Sequence, residues 1–150
     1  FEVHDYSRQE GVIMATKKVY QSNVKNVVNS IEDITAKRLW LAANHVKSVI
    51  QETLSGTRHG KIAKVPGTGK TYIQSAPGEA PAVMYGDLRR SISVQVKQEG
   101  KWLVAKIGTA QLKAMRLEYG GHGMAPRPYM RPSFEKAKPK VEEIINKRWF

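Results

Sequence analysis

Cysteine is absent from this 150-residue chain. That excludes disulfides and thiolate metal sites, and it fits a reducing compartment. No run of about 18 apolar residues occurs, so no transmembrane helix is expected. No charged-then-apolar signal segment stands at the start. Acidic residues are scarce: 13 Asp and Glu stand against 25 Lys and Arg, a formal net charge of +12. Such a balance points to a polyanionic partner, nucleic acid above all, or to a subunit whose basic faces meet acidic faces on its neighbours. His4, His45, His59 and His122 are nowhere three to five residues apart, so they form no local metal motif. No serine or aspartate arrangement marks one of them as a general base. The sequence therefore predicts no catalytic residues, no cofactor and no metal. Its length suits a single domain over residues 1–150 with a real core.

Proline and glycine are both missing from residues 12–55. Within that stretch Val24, Val27, Val28, Ile31, Ile34, Leu39, Ala42, Ala43, Val46, Val49, Ile50 and Leu54 recur at three- and four-residue steps. This is one apolar stripe on a helix. A helix over 19–54 would be roughly 50 Å long. Asn29, Ser30 and Asp33 are cap-like, so two helices broken near 29–33 are the alternative. Gly56 stands where a C′ cap is expected. Lys37, Arg38 and Lys47 lie mostly off the stripe, while Tyr20 and Trp40 fall at its edges, as core rim or as subunit contact. Residues 1–15 read as an extended amino-terminal arm.

Residues 57–74 read as a projecting basic hairpin. Two short alternating runs flank Pro66-Gly67-Thr68-Gly69, and Arg58, Lys61, Lys64 and Lys70 have no acid among them. Gly67-Thr68-Gly69-Lys70-Thr71 ends like a phosphate-binding loop. That motif needs a glycine where Lys64 stands and a helix after Lys70, and the residues that follow do not suit a helix.

Residues 75–92 form the bend around which the chain is organised. Pro77-Gly78 signals a turn, and Pro81 keeps Ala80 out of the helical region. From Ser91 the pattern alternates, with Ile92, Val94 and Val96 on one face. A second hairpin, turning near residues 98–101, brings back Leu103, Ala105 and Ile107. A short helix over 110–117 follows, with Leu112, Met115 and Arg116 near one face. Pro126, Pro128 and Pro132 then make residues 124–132 a fixed extended segment, with Arg127, Tyr129 and Arg131 pointing one way. A last helix starts at Pro132, with Pro139 expected to kink or restart it. Arg89, Arg90, Arg127 and Arg131 could clamp phosphate, or order loops through Glu79, Asp87 and Glu118.

Two motifs in fixed order carry a resemblance. Ser75-Ala76-Pro77-Gly78-Glu79-Ala80-Pro81-Ala82, followed by Gly86-Asp87-Leu88-Arg89-Arg90-Ser91-Ile92, resembles an "SxPGEPPA…TGxLxxSI" signature. Leu117-Glu118-Tyr119-Gly120 and residues 125–134 resemble its "EFGT…ARPFLRPA" partner. Both signatures belong to the HK97 gp10-like family of tailed-bacteriophage tail-completion and head–tail connector proteins. The resemblance covers about residues 61–145. It departs at Met84-Tyr85, where a threonine usually precedes the glycine, and at Gly121, where the second threonine is missing.

The resemblance implies an α+β subunit: an antiparallel sheet packed by one long amino-terminal helix and a carboxy-terminal helix. It further implies a homo-oligomeric ring, usually a hexamer, in the neck or at the tail terminus of a virion made in the bacterial cytoplasm. Neighbours would be head-completion, tail-tube or tail-terminator proteins, with genomic DNA passing through the lumen. Arg58, Lys61, Lys64, Lys70, Arg127, Tyr129 and Arg131 are the expected interface residues. A basic nucleic-acid-binding module is the alternative, although helix-turn-helix, RNA-recognition and zinc-finger motifs are missing.

Overall fold

The computed structural model describes residues 7–121 and 123–148, and side chains of the first helix from residue 29 onward. The chain, read above as one domain, falls into two units, Phe1–Lys37 and Arg38–Phe150. Its elements in order are α1 (Ser7–Ser55), β1 (Ile62–Lys64), β2 (Thr71–Ile73), α2 (Asp87–Ser91), β3 (Ser93–Glu99), β4 (Trp102–Gly108), α3 (Leu112–Tyr119) and α4 (Met130–Asn146). Among the described residues the fold is α+β, with four helices and two antiparallel pairs, β1–β2 and β3–β4. The expected single sheet is thus two separate hairpins. The bend and α2 stand between them in the chain.

α1 runs unbroken from Ser7 to Ser55. This corrects the expected arm, which is helical from Ser7; residues 1–6 lie outside the described residues. It also removes the alternative break at 29–33. No proline interrupts α1, and its one glycine, Gly11, costs only about 1 kcal/mol relative to alanine. The Thr35 hydroxyl donates back to the Ile31 carbonyl at 2.7 Å, so this polar side chain bonds within the helix instead of ending it.

In the second unit, Ala42, Ala43, Val46, Val49, Ile50 and Leu54 are buried while Lys37, in the first, is exposed. Ile31 and Ile34, expected in the stripe, are exposed, as is Trp40. Val24, Val27, Val28 and Tyr20 lie outside the described side chains. The buried stripe packs on helices more than on a sheet. Val46, Val49, Ile50 and Leu54 cluster with Ile92, with Ala114 of α3, and with Tyr129 and Ala137 at and within α4. Ile107 of β4 joins at the margin. Each fully buried aliphatic side chain contributes about 1.5–3 kcal/mol relative to exposure.

Small side chains let α4 approach α1. Ser133 and Ala137, one turn apart, are both fully buried, and the Ser133 hydroxyl donates to Thr53 Oγ1 at 2.8 Å. Lys136 Nζ meets Glu52 at 3.2 Å on the exposed side of the same contact. α4 runs through Pro139 as one helix, where a kink or restart was the expectation. Beyond its end, the Arg38 guanidinium donates to the carbonyls of Lys147 and Arg148.

The β3–β4 register pairs Val94 with Ile107 and Val96 with Ala105 on the half-buried face, and Gln95 with Lys106 on the other. The turn is the two residues Gly100-Lys101, with Gly100 at φ 62, a conformation natural to glycine in tight hairpins. β3 begins at Ser93, two residues later than the alternation suggests, because Ser91 closes α2 and Ile92 turns into the core.

Candidate functional site

The two segments that carry the resemblance are bonded to each other. Gly78, at φ 82 in the Pro77-Gly78 turn, donates its amide to the Pro126 carbonyl at 3.0 Å. Arg127 N–H donates to the Leu117 carbonyl at 2.7 Å. The Glu118 carboxylate accepts three amides at the start of α4: Tyr129 and Met130 on Oε2 at 2.8 and 2.9 Å, and Arg131 on Oε1 at 3.0 Å. The first amides of a helix have no partner of their own, and the helix dipole favours an anion there. Glu118 thereby draws Met130, Arg131 and Pro132 into α4. This shortens the extended segment expected over 124–132. Gly120 lies so close to this strap that a Cβ would meet the Met124 carbonyl at 2.9 Å and Pro126 Cδ at 3.1 Å.

A second carboxylate secures the bend. Glu79 Oε2 accepts the amides of Ala76 at 2.8 Å and His59 at 3.1 Å, and Oε1 meets His59 Nδ1 at 2.6 Å. Hydrogen bonding from Ala76, then from the His59 ring and amide, holds this carboxyl down to about 2.

The expected interface residues separate into three groups. Arg58 points inward: its guanidinium donates to the carbonyls of Thr53 and Leu54 at 2.7 and 3.1 Å, and to that of Pro81. It caps the carboxy-terminal end of α1, whose last turn holds no basic residue, and ties that end to the bend. Tyr129 is also internal, with 1% of its surface exposed, and burial followed by the Glu118 charge pushes its phenol up to about 12. Tyr129 is therefore out of a neighbour's reach, while Arg58, half-buried, is engaged by carbonyls of its own chain. The assumption of a straight extended path fails there, because the chain enters α4 at Met130.

Lys61, Lys64, Lys70 and Arg131 are exposed, and no ion pair engages them among the described residues. The 57–74 hairpin that carries the lysines is tied back near its turn, where the Tyr85 hydroxyl donates to the Pro66 carbonyl at 3.0 Å. Lys70 leads into strand β2, so no helix follows the glycine loop as a phosphate-binding loop requires. Arg127 is intermediate: half-buried, with its Nε–H enclosed and without an acceptor among the described residues. Arg90 pairs with Asp87 at 2.6 Å, and Arg89 donates to Ser55 Oγ at 2.9 Å, so the bend's arginines order local structure.

Two features escaped the sequence reading. One is a half-open cavity of about 320 Å³ at the bend, lined by apolar residues together with Gln74, Ser75, Asp87, Arg89, Lys113 and Arg127. The other is the outer face of α3. Leu112, Met115 and Tyr119 are 93%, 72% and 78% exposed and share one face with Arg116. The helical spacing of Leu112 and Met115 was visible, but which face the core takes was not; Ala114 and Leu117 take it.

Among the described residues, no group of three or more His, Asp or Glu is arranged to hold a metal ion, and no helix is long and apolar enough to cross a membrane. Comparison with known protein families, with curated proteins and with solved structures finds no match to this chain.

Proposed function

We propose that the chain is a structural subunit of a ring at the head–tail junction or tail terminus of a tailed bacteriophage, joining tail to capsid. The observation that carries this reading is the bonding between the two signature-like segments. Separated by dozens of residues, they meet through Gly78 and Pro126, and the second closes on itself through Glu118. That is what is expected if the motifs are parts of one structural device. The exposed apolar face of α3 supports assembly as the role, since clustered exposed apolar side chains mark interaction surfaces. The unopposed Lys61, Lys64 and Lys70 would meet acidic faces on an adjacent ring or the genome in the lumen.

Native mass measurement of the purified chain, with electron-microscope images down the particle axis, tests the proposal. A closed ring of one stoichiometry is expected. A chain that stays monomeric over the micromolar range, alone and with phage heads and tails, would overturn it. The nucleic-acid reading is favoured by the +12 charge alone. It requires DNA affinity that falls by about three to five powers of ten between 50 and 200 mM salt for six to ten phosphate contacts.

A further inference from the structure

The first unit, Phe1–Lys37, contains the amino-terminal part of α1. Its apolar residues keep a seven-residue repeat. Ile13, Tyr20, Val27 and Ile34 stand seven apart, and Val24 and Ile31 precede the last two by three. That is the a/d seam of a coiled coil. Lys17 holds the same a place one repeat earlier. Ile31 and Ile34, the seam residues whose side chains are described, are 49% and 40% exposed.

The composition of this part of the helix calls for a cover on that seam. Fourteen of the seventeen residues from Val19 to Thr35 are Val, Ile, Tyr, Asn, Asp, Ser or Thr, all weaker helix formers than alanine, leucine or lysine. A helix of such residues takes most of its stability from packing an apolar face.

The charges indicate what the cover is. Beside the seam, at the e and g places of the two central repeats, stand Gln21, Asn23, Val28 and Ser30, none of them charged. A chain of net charge +12 can therefore meet its own copy along this seam with little repulsion. The charges are also unequal along the helix. Residues 7–25 carry Arg8, Lys17, Lys18 and Lys25 against Glu10, whereas residues 26–36 carry Glu32 and Asp33 with no basic residue. In a parallel pair Lys17 would meet its own copy at the seam, and like charge would lie along like. In an antiparallel pair the basic part of one copy lies along the acidic part of the other, and the two helix dipoles oppose as well.

We propose that this part of α1 is a self-association surface on which two copies of the chain pair antiparallel. Val24 of one copy lies level with Val27 of the other, and Tyr20 level with Ile31. The contact is two-fold and self-complementary. It does not rest on the virion reading, and its test reads the proximity of named positions within a pair, not the formation of a ring.

The chain has no cysteine, so an introduced thiol reports its own position alone. Three variants of the full chain are prepared: Tyr20→Cys, Ile31→Cys and, on the opposite side of the helix, Asn29→Cys. Each is oxidised alone and in equimolar mixture with the others, and disulfide-linked dimer is counted by mass under denaturing conditions. A disulfide needs Cα atoms about 4.4–6.8 Å apart, so only positions that face each other across the seam link readily. The mixture of Tyr20→Cys with Ile31→Cys is expected to give linked dimer with one chain of each kind. Each variant alone, and each mixture with Asn29→Cys, should stay at background. Val27→Asp added to both chains of the productive mixture should abolish the linked dimer and lower the helical circular-dichroism signal, because the weak helix formers lose their cover.

Ile31→Cys linking to itself as well as the mixture does would show parallel copies and overturn the proposal. Equal linking in the Asn29→Cys mixtures would do the same, as would linking that survives Val27→Asp. No linked dimer in any mixture would also overturn it and leave the seam to a helix of a different protein.

Discussion

Replacing Glu118 by alanine removes the acceptor of three amides at once. Those of Tyr129 and Met130 are partly enclosed, so water replaces the carboxylate poorly there; that of Arg131 is exposed and can turn to solvent. An enclosed donor left without a partner costs about 1–3 kcal/mol, so the two together come to about 3 kcal/mol once some relaxation is allowed. The stability of a whole domain is about 5–15 kcal/mol, so this is a large share. For a chain of this size each kcal/mol moves the melting temperature by roughly 2–4 °C, and a fall of roughly 6–12 °C is expected. Glu118→Gln keeps an acceptor oxygen but loses the charge at the helix terminus, which costs about 1 kcal/mol. Thermal and urea unfolding of the three proteins measure both steps. If Glu118→Ala melts within about two degrees of the parent, the strap is not held by this carboxylate and the account of the α4 terminus fails. If Glu118→Gln falls as far as alanine, the charge and not the hydrogen bonding carries the effect.

Three further outcomes follow from the same geometry. Val46→Asp places an unpaired carboxylate in the core and should cost several kcal/mol, and an unchanged melting curve would refute the burial of that α1 face. Glu79 titrates at about 2, below the ordinary 4.5, so its contribution is fully present above the ordinary value and is lost as pH falls toward 2. The difference in melting temperature between parent and Glu79→Ala should therefore hold steady near neutrality and close between those two values; an equal gap at both ends would refute it. Gly120→Ala combines a φ of 79 with a Cβ 2.9 Å from the Met124 carbonyl and should destabilise by about 1–3 kcal/mol.

What was legible in the sequence was the part set by local period. The alternation of Val94, Val96, Ala105 and Ile107 gives the β3–β4 hairpin almost to the residue, and the steps from Ala42 to Leu54 give the buried face of α1. Periodicity states that a face is apolar; it does not state that something covers it. Ile31 and Ile34 continue the pattern of Ala42 and Val46 and yet are exposed. The single sheet failed for a related reason, since three-residue strands such as β1 and β2 carry too little pattern to say which strands they join. Charged residues were the least readable. Arg58 looked like a free basic residue because its partners are backbone carbonyls, which leave no trace in residue identity. The sequence offers Glu118 as a carboxylate that orders a loop through arginines, but the groups it orders are backbone amides.

The ring reading has one more consequence, which concerns how a chain of net charge +12 can contact itself. Two identical basic patches repel, so a self-contact that pairs one patch with its own copy is disfavoured. A head-to-tail contact joins two different patches, and it is also the kind that closes into rings. The chain offers two suitable faces. On α3, Leu112, Met115 and Tyr119 surround Arg116. On α4, Phe134 and Ile145 are exposed on one side with Arg131, Glu135, Lys138 and Glu142, an apolar face whose charges balance, unlike the basic face of α3. Pairing the first face of one copy with the second face of the next buries apolar surface on both and sets Arg116 against Glu142 or Glu135. Arg116→Glu and Glu142→Lys should each reduce ring yield while leaving the melting of the separate chain within about 0.5 kcal/mol of the parent, as expected for exposed sites. An exposed ion pair is worth only about 0.2–1 kcal/mol, but the contact would recur at every subunit boundary of the proposed ring. Combined in one chain, the two substitutions should recover the ring yield that each alone loses, and native mass measurement reads this directly. A double variant no better than the weaker single one would rule out this pairing of faces. Full ring yield from both single variants would do the same.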